Sequence, residues 1–247
     1  MGAARAALSL SIAFAGIAGR AGYLEAFFIS TVGTVLHQLN SGLVARYAVD
    51  FGGTMSIFIF GGTMGTIMAL LLSWKQGNQF YVHPEYTSNK MSRTLALLGG
   101  AFCWFLFPVL NMDVSPNLFI YSNGAISTFI CISGSVVTMV GICFVVEQRI
   151  ELRCLITSII AGGVIIGSSS TNIYNPVGAL LMGVIAAILQ YIFVRIEVVI
   201  GMKPLWSNGV LFLFVGQGIV GGYASAIFRA INITSGSFGT LYNNLSP

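Results

Sequence analysis

Asp50-Phe51-Gly52-Gly53-Thr54-Met55-Ser56-Ile57-Phe58 opens an apolar run that continues to Trp74. An acid followed by two glycines stands at its head. A carboxylate there accepts hydrogen bonds from the free N–H groups of a first turn and meets the positive end of the helix dipole. The stretch predicts a membrane helix over 52–74 with Asp50 in a structural role at its start. Its spacing recurs later in the chain. In Gly209-Val210-Leu211-Phe212-Leu213-Phe214 a glycine precedes a phenylalanine by five residues, as Gly53 precedes Phe58.

The rest of the chain agrees with a membrane setting. It has 247 residues, 56% hydrophobic and 7% charged. A soluble domain carries about 25% charged residues, so this chain could not clothe a water-facing surface and is expected to be an integral membrane protein. A spanning helix needs about 20 apolar residues. Runs at 22–45, 52–74, 93–111, 118–146, 153–169, 176–200 and 209–229 give seven spans, and 4–19 gives a short or broken one. The fold class is all-α, a polytopic bundle of about seven to eight transmembrane helices. Three segments are expected: a short apolar segment over 1–20, the transmembrane domain over 21–230, and a polar Ser/Asn/Gly-rich tail over 231–247.

Charge alternates between the loops. One side receives Arg20, Lys75, Lys90, Arg93, Arg149, Arg153, Arg195 and Lys203, and the other receives Arg46 and Arg229. This positive-inside pattern turns the first set toward the cytoplasm, or toward the matrix in a mitochondrion. The net charge of +4 is carried by loops and does not form a nucleic-acid patch. The long loop from Lys75 to Ser92 is the natural place for a partner contact. Four cysteines, Cys103, Cys131, Cys143 and Cys154, show no metal spacing and are expected to serve as small apolar residues.

Ionisable groups inside a bilayer are costly and are candidates for function. His37 lies within the 22–45 run, and two readings stand for it. It could relay protons or ammonium, or it could be a polar side chain hydrogen-bonded to a neighbour or to headgroups. No nucleophile–base pair, metal cluster or phosphate loop is present in the sequence, so an enzyme is not expected, nor is a cofactor. Glycines within the runs, among them Gly162, Gly163 and Gly218, put small residues on helix faces. In lipid, such residues let helix backbones approach closely.

Five stretches, in order, resemble the ammonium transporter/Rhesus (Amt/Rh) family, and its Rhesus branch best. Asp50 to Phe58 is similar to Asp-x-Gly-Gly-Ser-Met-x-Ile-His. Trp104 to Asn111 resembles the family's Trp-Met-Phe-Trp-Pro-Ser-Phe-Asn. Ala161-Gly162-Gly163-Val164 with Gly167, Pro176-Val177-Gly178-Ala179 with Gly183, and Gly209 to Gly222 complete the set. The resemblance implies a fold of two inverted halves of five helices around a pore. It further implies that this chain begins near the fourth helix and ends after the tenth, lacking most of the first half. By the same resemblance, Phe58 and Phe214 stand where the family has paired pore histidines, Leu110 where it has a gating phenylalanine, and Gln217 where it has a proline. Asp50, Gly52, Gly53, Gly162, Gly163 and Gly218 keep structural places. The matched Gly–Phe offsets then predict that Phe58 and Phe214 meet at the centre of the bundle.

Two functions follow from that likeness. One is a degenerate, non-transporting accessory subunit that contacts other membrane subunits and bound lipids in a larger complex, such as a mitochondrial respiratory complex. The other is a channel for ammonia, ammonium or another neutral gas, completed by a partner chain. The family's homo-trimer is implied by resemblance but not favoured. The first 24 residues contain two arginines and no acid before Leu24, which favours the mitochondrial inner membrane over the plasma membrane.

Overall fold

A computed structural model describes residues 2–19, 21–48, 50–75, 89–112, 118–200 and 209–234. Eight helices follow one another: α1 (Gly2–Ile17), α2 (Tyr23–Tyr47), α3 (Phe60–Lys75), α4 (Lys90–Asn111), α5 (Leu118–Ile142), α6 (Leu152–Ile166), α7 (Pro176–Ile200) and α8 (Gln217–Thr234). Three are extended by wider-wound π-helical segments. Thr54–Ile59 leads into α3, Cys143–Glu147 ends α5, and Leu211–Gly216 leads into α8. Among the described residues there is no strand.

Five helical stretches are long and apolar enough to cross a bilayer: Thr54–Leu72, Lys90–Asn111, Ser122–Glu147, Pro176–Ile196 and Leu211–Ile231. The chain is an integral membrane protein. α1 and α6 are shorter than a full span, and α2, long enough at 25 residues, is not apolar enough to join the five, against the expectation of a span over 22–45. The 153–169 run counted as a span is thus a short helix, Leu152–Ile166, followed by turns. It tolerates that length because α4, α5, α7 and α8 all pack on it, and Ser158 through Thr171, apart from Ile160, is buried. α1 packs along α3, so the first twenty residues contribute to the same bundle as the rest. Leu10, Ala13 and Ile17 of α1 share a buried cluster with Ile29, Met64, Ala69 and Leu72. Arg5 donates to the carbonyl of Phe51 at 2.9 Å, which ties α1 to the head of the 52–74 run.

α2 lies at the periphery. Its buried positions are Ile29, Gly33 and His37, a single row of every fourth residue, the spacing of one helix face. The main core surrounds α6 and draws Ile57, Phe58, Phe107, Ile132, Ile165, Met182 and Phe214 into one cluster. The polar tail over 231–247 lies outside the described residues beyond Thr234, as do positions 76–88 of the Lys75–Ser92 loop.

Candidate functional site: an aromatic closure at the centre of the bundle

The two π-helical segments that carry Phe58 and Phe214 begin alike. Gly53 and Gly209 both adopt positive φ, 71° and 74°. That region is open to glycine and strained for residues with a β-carbon. From Gly53 the carbonyl accepts the N–H groups of both Ile57 (2.7 Å) and Phe58 (3.2 Å), and Gly209 accepts from Leu213 at 3.0 Å. A turn wound this way advances less per residue than an α-helix. Such turns recur at functional sites, and here each presents a phenylalanine to the other.

The two rings stack, with centroids 6.0 Å apart and planes 6° from parallel. The sequence expected this contact. Phe58 is 2% exposed and Phe214 9%. Around the rings the packing is reciprocal. A β-carbon on Gly62 would lie 2.7 Å from Val215 Cγ2, and one on Gly218 would lie 2.6 Å from Ile59 Cγ1. Each glycine therefore receives the residue that follows the other half's phenylalanine. Gly218 holds its place for this reason.

Phe107 of α4 adds a third ring, 5.8 Å from Phe58 and tilted by 33°. Leu110 is the residue that the resemblance sets at the family's gate position. Leu110 is partly buried and packs on the same core, but the aromatic contact to Phe58 belongs to Phe107, one turn earlier on α4. Gly163 lies flush beneath Phe107, where a β-carbon would run into the ring. Gly162 lets α6 approach α5, since its β-carbon would sit 3.0 Å from Ile132 Cα. The signal that could have found Phe107 is its spacing of three from Leu110, which puts both on adjoining parts of one helix face.

Polar side chains ring this apolar centre and serve the backbone. The Oδ2 atom of Asp50 accepts from the N–H of Met55 (3.0 Å), the N–H of Ser56 (2.9 Å) and the Ser56 hydroxyl (2.9 Å). Gly52 N–H donates to Gly167 O at 3.2 Å, and a β-carbon on Gly52 would meet that carbonyl and Asn111 Oδ1 at 2.6 Å. Thr54 Oγ1 donates to Val164 O. The amide of Asn111 donates to Thr128 Oγ1 (3.2 Å) and Gly163 O (3.3 Å). Gln217 is fully buried and donates from Nε2 to Ala186 O of α7 at 3.1 Å.

His37 is away from this centre. Its Nδ1 is 3.0 Å from the Ser9 hydroxyl of α1, and its ring meets Phe60 edge-on at 5.5 Å. At 2% exposure it is a buried, hydrogen-bonded tie between α2 and α1, out of reach of headgroups. No group of three or more metal-binding side chains occurs among the described residues.

Comparison with known proteins places this architecture. The model of the Ammonium Transporter Family matches residues 1–246, beyond the 22–229 stretch in which its motifs are readable. Ammonium transporter Rh type C of Xenopus laevis is 26% identical over 232 residues, which is 90% of this chain and 48% of that protein. Rhesus-like glycoprotein A of Dictyostelium discoideum is 27% identical over 236 residues, 90% of this chain and 43% of that one. The chain thus spans about half the length of these relatives. Among solved structures, Nitrosomonas europaea Rh50 superposes with a TM-score of 0.78 at 19% identity, covering 93% of this chain and 65% of that one. A Sensor Amt Protein gives 0.73 at 21% identity, covering 91% and 59%. With its paired helix starts and its all-helical bundle, the chain belongs to the ammonium transporter family, in the Rhesus-like branch.

Proposed function

We propose that this chain is a non-transporting Rhesus-like protein that serves as a structural accessory subunit of a larger membrane complex. The observation that carries the reading is the stacked Phe58–Phe214 pair. An ammonium ion that leaves water needs acceptors, and leaving it unpaired costs several kcal/mol. A ring face can attract a cation, but here the faces of Phe58 and Phe214 are turned to each other, with Phe107 beside Phe58.

The accessory role draws support from α2. Outside its buried row, α2 exposes apolar Phe28, Val32, Val35 and Leu39, and also the polar amide of Gln38. Thr31 and Thr34 on the same side bond to carbonyls of their own helix, but lipid tails offer no hydrogen bonds to Gln38. A neighbouring protein helix would suit both the apolar row and Gln38. We assign the chain to the mitochondrial inner membrane over the plasma membrane on the acid-poor start of the sequence. Arg5, one of the two arginines there, also has a use inside the fold.

The test combines purification and transport. Mild-detergent extraction should recover foreign membrane subunits with this chain, and cell fractionation should place it with inner-membrane markers. Reconstituted by itself in liposomes, it should take up no more methylammonium than empty vesicles. Uptake above that baseline, or recovery as a lone symmetric trimer, would instead establish the channel reading.

A further inference from the structure

The corner between α5 and α6 brings two cysteines together. Cys143 opens the π-helical end of α5 and is 1% exposed. Cys154 lies in the first turn of α6 and is half-buried. Its side chain packs on the buried cluster that contains Cys143, close enough for the two thiols to interact. Both are free, and both pack with Met139, Ala187 and Tyr191. The chain between them turns tightly at Gln148, whose φ is 54°. Just beside this pair, Glu147 at the end of α5 forms an ion pair with Arg195 and accepts a hydrogen bond from the Tyr191 hydroxyl at 3.1 Å, both on α7. Arg149 and Arg153 are exposed at the same corner. The loop charges turn this end toward the cytoplasm or matrix, where small thiols and their disulfides circulate.

We infer that Cys143 and Cys154 are a redox pair, two contacting thiols that a small disulfide of the glutathione type converts into a covalent clasp between α5 and α6. Nothing in this inference depends on whether the chain transports. The chemistry balances with the small disulfide as oxidant. The Cys154 thiolate, the more accessible of the two, attacks one sulfur of the small disulfide. That S–S bond breaks, a mixed disulfide forms on Cys154, and one small thiolate leaves. The Cys143 thiolate then attacks the Cys154 sulfur and expels the second small thiolate. The two protons lost by the protein thiols end on the two released small thiols. Arg149 and Arg153 favour the approach of an anionic disulfide to this corner. Apolar burial slows attack, so the clasp responds to sustained oxidation rather than to brief exposure. Once closed, it is shielded from reductants by the same burial.

The sequence provides its own assay. Trypsin cuts after Arg149 and Arg153, between the two cysteines. It also cuts after Arg93 and Arg195, so Cys154 is the sole cysteine of the fragment over 154–195, while Cys103, Cys131 and Cys143 share the fragment over 94–149. The full chain in detergent is incubated with glutathione disulfide, capped with an alkylating reagent, cut at the corner and run on a non-reducing gel. The two fragments should remain joined in most of the protein and part on addition of dithiothreitol. The link should vanish in Cys143→Ala and Cys154→Ala and persist in Cys103→Ala and Cys131→Ala. Peptide mapping of the oxidised wild-type chain should find the Cys143 and Cys154 peptides joined, which keeps the test valid if a variant fails to fold. Fragments that separate after oxidation, or a link from Cys154 to Cys103 or Cys131, would overturn the inference.

Discussion

The segments over 50–75 and 209–234 share one plan and differ in how each is held. Both open on a left-handed glycine, wind through a π-helical turn, present a phenylalanine and continue as an α-helix. The first is anchored at its head by three hydrogen bonds to Asp50 and by Arg5 on the carbonyl of Phe51. The second is anchored farther in, by Gln217 reaching Ala186 of α7. Their helix contacts differ in the same way. Gly61 lies against Ser9 O of α1, whereas Gln217 stands at the corresponding place three residues after Phe214. Pseudo-symmetry thus survives where the halves touch each other and lapses where each touches its own surroundings. The contact between the halves depends on matched shapes, while the outer contacts answer to different neighbours.

Truncating the rings should cost most. Phe58→Ala and Phe214→Ala should each destabilise the bundle by about 3–5 kcal/mol, the range for a buried phenylalanine. The loss should be larger at Phe58, the more buried ring. In a double-mutant cycle the pair should couple by about 0.5–1.5 kcal/mol, read by unfolding in mixed micelles of increasing SDS content. Additive losses would mean that the stack contributes burial alone.

A smaller effect tests the reciprocity itself. Gly62→Val and Gly218→Val each force a side chain against the opposite half and should cost about 1–3 kcal/mol, the range for overpacking. The two losses should agree closely in the same unfolding assay. A cost confined to one of them would break the symmetry argument. Gly53→Ala and Gly209→Ala should follow at about 1–2 kcal/mol each, the strain of a left-handed residue with a β-carbon.

The anchors should separate the halves. Asp50→Ala removes an acceptor shared by three donors and should cost about 1 kcal/mol, as the loss of a helix-start cap does. Asp50→Asn, which keeps an acceptor oxygen, should recover most of that loss. Hydrogen exchange should then quicken over Thr54–Ile59 and leave Leu211–Gly216 unchanged. Equal quickening in both segments would show that the caps act through the ring contact rather than locally.

How much of this could be read in the sequence depends on the range of each interaction. The helices, the membrane setting and the Gly–Phe spacing are local patterns, and they were readable. The ring contact followed from two local patterns read through the pseudo-symmetry that the family resemblance implies. The contact of Phe107 with Phe58 went unread, because neighbouring residues on one helix face differ in contact by rotation alone. The wide turns also went unread, since nothing in Thr54–Ile59 or Leu211–Gly216 marks a π-helix apart from the glycine before it. The partner of His37 is Ser9, 28 residues away on another helix. No spacing rule reaches that far, so its two readings could be separated only by packing. The short length of α6 was missed for a related reason: an apolar run shows what a segment dissolves in and is silent about where its regular winding stops.

The buried end of α6 also bears on how the chain is made. Its last carbonyls, at Gly163, Val164 and Gly167, are met by Asn111, Thr54 and Gly52. Val164 O and Gly167 O also accept from the Gly167 N–H and the Ser170 hydroxyl of their own stretch, so the earlier donors add second bonds there. Asn111, Thr54 and Gly52 all precede α6 in the chain. A ribosome working from the amino terminus has already delivered them to the membrane when α6 emerges. The contribution of α8 runs the other way, with Ser225 donating to Ser168 O and Ser168 donating to Gly221 O. For Asn111, Thr54 and Gly52 synthesis order and satisfaction order coincide, while Ser168 O waits for Ser225 of α8. α6 can settle on arrival, and α8 closes over it last.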